Sequence, residues 1–160
     1  MGQRGFSLIE VLVVMGIIAI LLAVATIQFN EWSRKAVMEG EIKRLYADLM
    51  RVRQEAVYSK RERTVVLAPS RYDIYSSNVT SVGALTQNTL TYPIVWNGAG
   101  NQITFNLRGT TDNQKSICID PSDNPAAYDS IVVSRARVRL GKRDIGGNCA
   151  TTPTNYIQLR

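Results

Sequence analysis

Between Phe6 and Phe29 the chain runs for 24 residues with one charged side chain, Glu10. As a helix that run reaches roughly 36 Å, enough to cross the hydrocarbon core of a bilayer. The flank before it, Met1-Gly2-Gln3-Arg4-Gly5, is short and carries Arg4. The positive-inside rule keeps that end cytoplasmic and sends the rest of the chain across. A cleaved secretory signal fits poorly. The run exceeds the usual apolar stretch of about 7–15 residues, the nearest small-x-small site is Ala23-Val24-Ala25, and Glu10 interrupts the apolar region. A plain single-pass anchor explains the length but not Glu10. A carboxylate at that depth costs on the order of 3 kcal/mol, so a functional role with a partner is the expectation.

Gly5, followed by Phe6-Ser7-Leu8-Ile9-Glu10 and about twenty apolar residues, resembles the class III signal of the type IV pilin-like family, which includes type II secretion pseudopilins. The resemblance implies a prepilin peptidase that cuts between Gly5 and Phe6 and N-methylates Phe6. It also implies a role for Glu10 in assembly, where its charge meets the N-terminal amine of a neighbouring subunit and a buried charge becomes a buried pair. Many members carry a Pro about two-thirds along the apolar run. Here the stretch is Ala25-Thr26-Ile27-Gln28-Phe29, so no Pro forces a kink.

The apolar run passes into an amphipathic pattern. Trp32, Ala36, Ile42, Leu45, Leu49, Val52 and Ala56 recur mostly at three- and four-residue steps, with charges between them. Glu39 and Lys43 are spaced for an ion pair. The expectation is one helix from Phe6 to about Ser59. Beyond Lys60 the periodicity shortens. Apolar and β-branched runs at 64–67, 72–75, 90–92, 94–96, 103–107, 116–119, 130–133 and 138–140 are separated by turn residues that include Asn97-Gly98, Arg108-Gly109 and Gly141. Residues 76–88 read as a surface loop, and 156–160 as a final strand. The fold class is therefore α+β: a long N-terminal helix, its first half transmembrane, packed on an antiparallel sheet or β-sandwich head. The expected division is a leader at 1–5, a membrane or filament-core helix at 6–29, an amphipathic helix at 30–59 and a β-rich exported head at 60–160.

Cys118 and Cys149, an even pair in an oxidising compartment, read as one disulfide closing a loop of about 30 residues, worth roughly 3–4 kcal/mol. Two free thiols are the alternative. The formal charge is +6. Losing Arg4 with the leader removes one positive charge and setting Glu10 aside removes one negative, so the exported part stays basic. This favours a polyanion, lipid headgroups or an acidic neighbouring subunit.

Arg135, Arg137, Arg139, Lys142 and Arg143 form the densest basic cluster. On a strand, the first three share a face opposite Ala136 and Val138, with Lys142 and Arg143 extending the patch into a turn. Such a row can track phosphates along DNA. A solvated edge strand blunted by charge and a contact with an acidic neighbouring pilin are the competing readings. The chain has no His, no Gly-x-Ser-x-Gly, no phosphate loop and no recognisable catalytic carboxylate pair, so neither an enzyme nor a metal or other cofactor is expected. Asp120, Asp123 and Asp129 lack the spacing of an EF-hand loop and read as turn residues.

The segment Ile131-Val132-Val133-Ser134-Arg135-Ala136-Arg137-Val138-Arg139 resembles a late stretch of GspH/FimT-like minor pilins and pseudopilins, in which Gly-Arg-x-Arg follows a Val-Val-Ser strand; here Ala136 replaces the Gly. The implied function is a structural subunit of a type IV pilus or type II secretion pseudopilus, in a tip or priming complex. It would be anchored in the bacterial inner membrane before assembly and lie in a periplasmic or surface filament after. Its partners would be other pilins or pseudopilins, the peptidase and the membrane. A minor pilin that binds DNA for uptake, through Arg137 and Arg139, and a major pilin are the alternatives.

Overall fold

The computed structural model describes residues 7–149 and 156–159. Among them are one helix, α1 (Leu8–Ser59), and nine strands: β1 (Arg63–Ala68), β2 (Arg71–Tyr75), β3 (Thr86–Thr89), β4 (Ile94–Trp96), β5 (Gln102–Phe105), β6 (Lys115–Ile119), β7 (Ser130–Ser134), β8 (Arg137–Arg143) and β9 (Ile157–Leu159). The chain divides into two compact units, Met1–Arg34 and Lys35–Arg160.

In the first unit α1 begins after Ser7, whose carbonyl accepts the Val11 N–H at 3.2 Å. The helix continues through residues 25–29, a stretch that contains no Pro. Its large apolar side chains from Leu8 to Leu22, and Phe29 and Trp32, are exposed. The segment is long and apolar enough to cross a membrane. Apolar surface of this extent needs lipid or other subunits to cover it.

In the second unit α1 buries Met38, Ile42, Leu45, Leu49, Val52 and Ala56. Steps of four and three residues keep these side chains on one face. Trp32 and Ala36 do not join that stripe. Trp32 is 66% exposed and lies beside Phe29, with ring centroids 6.3 Å apart. Met38 takes the place the sequence pattern gave to Ala36. The helix stops at Ser59 because Lys60 turns to a φ of 52° and the Arg61 N–H reaches back to the Ala56 carbonyl. That bond spans five residues, as at other helix ends closed by a left-handed residue.

The strands form two antiparallel sheets, ordered β3-β2-β1-β5 and β4-β6-β7-β8-β9. The α1 stripe, Val65, Leu67, Tyr72, Ile74, Ile103 and Phe105 of the first sheet, and Ile117, Ile119, Ile131, Val133 and Val138 of the second make one core. Hydrogen bonds fix the loops to the helix. The Glu41 carboxylate accepts the Thr91 and Tyr92 amides at 2.5 and 3.2 Å, Glu39 accepts the Ala127 amide at 2.8 Å, and Arg53 Nε donates to the Gly109 carbonyl at 2.7 Å.

Three sequence expectations need correction. Residues 86–88, expected to end the 76–88 loop, belong to β3 and pair with β2. Residues 90–92 are not a strand; they lead into β4. Gly141, read as a turn, lies within β8 opposite both Ser130 and Leu159. A Cβ there would sit 2.4 Å from Ile157 Cγ2, so the glycine is required by the close approach of β9.

Candidate functional site

Glu10 lies in the first turn of α1 and is exposed. Negative charge is favoured there by the unsatisfied N–H groups of the helix start. Glu10 shares an exposed face of the helix with Val11, Val14, Met15 and Ile18. An isolated carboxylate on an otherwise apolar surface is suited to receive a cation delivered by another chain. The expected cleavage point, Gly5 and Phe6, lies outside the described residues.

The basic cluster separates into two groups. Arg135 and Ala136 form the two-residue turn between β7 and β8, closed by the pairing of Ser134 with Arg137. Lys60 is the one non-glycine residue with positive φ among the described residues, so Ala136 meets no left-handed strain. Arg137 and Arg139 are exposed on one face of β8, and Val138 between them is buried. Neither Arg137 nor Arg139 has an ion-pair partner among the described residues. Arg135 reaches Asp112 at 3.7 Å, with both side chains largely exposed, a pair of little energetic weight.

Lys142 and Arg143 do not extend that patch. Both lie in β8 rather than in a turn, and both are engaged inside the head. Lys142 Nζ is 2.9 Å from Asp129 Oδ2 and also donates to the Asn124 carbonyl and Oδ1. Arg143 is 3% exposed and donates to the carbonyls of Ile119 and Gly147. Burial lowers the Arg143 pKa, and the nearby Asp129 and Asp120 oppose the shift. Asp129 is fully buried, its Oδ1 accepting the Ser130 hydroxyl at 2.6 Å and the Arg143 amide at 2.7 Å, its Oδ2 the Asn124 amide at 3.1 Å. Its carboxylate therefore organises the ends of β7 and β8. Asp120 and Asp123 are exposed and take no part in this carboxylate's bonds.

Cys118 and Cys149 form the disulfide, with Cα atoms 6.0 Å apart. It sits in a second apolar cluster with Val132, Ile157 and Val95. Cys118 faces this cluster while Ile117 and Ile119 face the main core, so β6 is buried on both sides. Sequence reasoning also missed the binding work of the helix carboxylates. Glu39 makes the expected pair with Lys43 at 3.2 Å, yet it also holds the Ala127 amide. The amide is the largest cause of its lowered pKa. Asp48 accepts the Tyr72 hydroxyl at 2.7 Å and, with burial as the main cause, the Tyr72 pKa is pushed well above the ordinary phenol range. Their i, i+3 and i, i+4 neighbours signalled only surface pairs.

Two features stand together: a class III-type signal that runs into an apolar N-terminal helix, and a pilin-like fold in which a long helix packs on antiparallel sheets. The family described as the prokaryotic N-terminal methylation motif matches residues 1–26. The chain is similar in structure to the type IV minor pilin FimU of Pseudomonas aeruginosa strain PAO1. Against the P21 crystal form the TM-score is 0.52 at 20% identity, over 70% of this chain and 91% of that one. Against the P65 form it is 0.48 at 20% identity, over 61% and 87%. No curated protein matches the chain.

Proposed function

We propose that the chain is a minor pilin or pseudopilin, a structural subunit that joins a filament through α1. The observation that carries this reading is the methylation motif at residues 1–26 leading directly into an exposed apolar helix with Glu10 in its first turn. The precursor is held in the inner membrane with Arg4 on the cytoplasmic side. A prepilin peptidase cuts between Gly5 and Phe6 and methylates Phe6, and the head is exported. In the filament, Glu10 pairs with the N-terminal amine of a neighbour. The likeness to a minor pilin favours a minor role, in a tip or priming complex, over a shaft subunit. Mass spectrometry of the mature N-terminus tests the processing. The expected peptide begins at Phe6 and carries one added methyl group; a chain that retains Gly5 in cells with an active peptidase contradicts the reading.

A second reading, DNA capture by the head, is favoured by the exposed and unpaired Arg137 and Arg139, with Arg135 at the adjoining turn. It predicts a DNA mobility shift that weakens steeply with salt and is lost in the R137A/R139A double variant. A shift unchanged in that variant moves DNA binding elsewhere, and no shift with the wild type removes the reading.

A further inference from the structure

Among the described residues, the outer edge of β8 is paired over only part of its length. β9 pairs with Gly141, Lys142 and Arg143, and no strand among the described residues pairs with Arg137–Leu140 on that side. The hydrogen bonds fix which backbone groups face it. The Gly141 carbonyl accepts the Asp129 amide and the Arg143 amide donates to Asp129 Oδ1, both toward β7, whereas the Asp144 amide donates to the Tyr156 carbonyl, toward β9. Strand alternation therefore turns the backbone polar groups of Val138 and Leu140 to this edge, where no described strand pairs with them. Arg137 and Arg139 stand beside this edge, exposed and unpaired.

From this juxtaposition we propose that the edge of β8 from Arg137 to Leu140 accepts an acidic, extended segment of a neighbouring filament subunit as an added strand. Main-chain pairing supplies the attachment, and carboxylates two residues apart on the added strand meet Arg137 and Arg139, as the period of a strand requires. A second copy of this chain does not fit. None of the nine strands among the described residues carries two acidic side chains, and the formal charge is +6. Two arginines on an edge also repel an identical edge, which keeps the site open for a partner of opposite charge. The proposal rests on the filament-subunit reading only for the identity of the neighbour.

The test uses the full chain in detergent micelles and a fluorescent ten-residue peptide alternating glutamate with threonine. Anisotropy should give saturable binding that falls at least tenfold in the R137A/R139A variant. The same peptide N-methylated at every residue keeps its charges but loses its donors, and should also bind at least tenfold more weakly. Equal binding of the methylated peptide overturns strand addition, as does equal binding by the arginine variant or no binding at all. A single-stranded oligonucleotide that displaces the peptide and binds more tightly overturns it in favour of a polyanion surface. None of these outcomes depends on filament assembly, so failure here and failure of the assembly reading are separate results.

Discussion

Lys142 and Asp129, thirteen residues apart in the chain, meet at 2.9 Å inside the head, and the aspartate has no exposed surface. A buried charge is tolerated only when its partners are complete. Here Asn124, Ser130 and the Arg143 amide complete them. Removing the carboxylate in Asp129→Ala should cost about 3–5 kcal/mol, because it leaves the Ser130 hydroxyl and the Arg143 amide without this acceptor and Lys142 without its counter-charge. Lys142→Met should cost less, because the carboxylate it leaves behind keeps the Ser130 hydroxyl, the Asn124 side-chain amide and the Arg143 amide as donors. Denaturant unfolding of the two variants checks the order; equal stability of Asp129→Ala and wild type contradicts it.

The same pair shows what the sequence could not reveal. Lys and Arg are exposed by default, and Lys142 and Arg143 read as surface charge because their acceptors are remote in sequence. The α1 stripe was legible because its period is local; Trp32 was misassigned because periodicity does not mark where the core begins. β3 escaped notice because Thr86-Gln87-Asn88-Thr89 has no apolar alternation, and its strand form comes from pairing with β2. Gly141 carried a turn signal, but its small size serves the approach of Ile157. The processing motif, the helix, most strands and the cysteine pair were readable because each is encoded by neighbouring residues or by composition.

Acid should loosen the loop that follows β6. The Ala127 amide, helped by Lys43, holds the Glu39 carboxyl below the ordinary glutamate range. A depressed folded pKa means that the stabilisation is complete above the unfolded value and lost as pH falls through the folded one. Stability of the wild type should therefore fall between about pH 5 and 3 more steeply than that of Glu39→Gln. Melting temperatures of the two proteins across that range check the slope; parallel curves contradict the assignment.

The disulfide should matter to one region more than to the whole head. Cys118→Ser with Cys149→Ser removes a cross-link spanning a sequence separation of 31 and should cost about 3–4 kcal/mol. The loss should appear first in the cover over β6, where Cys149, Ile157 and Val132 cluster. Hydrogen exchange should rise at Ile157–Leu159 and in β6 before it rises in β1 and β2. Uniform protection across both sheets would show that the cover does not depend on the bond.

The central claim concerns Glu10, and its most direct measurement is the incorporation of Glu10 variants into filaments. The precursor should insert in the membrane normally when Glu10 becomes Leu, since the change only increases apolar character. Recovery of that variant in sheared or purified filaments should fall at least tenfold, with Glu10→Asp retaining part of it. Glu10→Leu filaments at the wild-type level would contradict the account, because the one charge in the apolar run would then have no work to do in assembly.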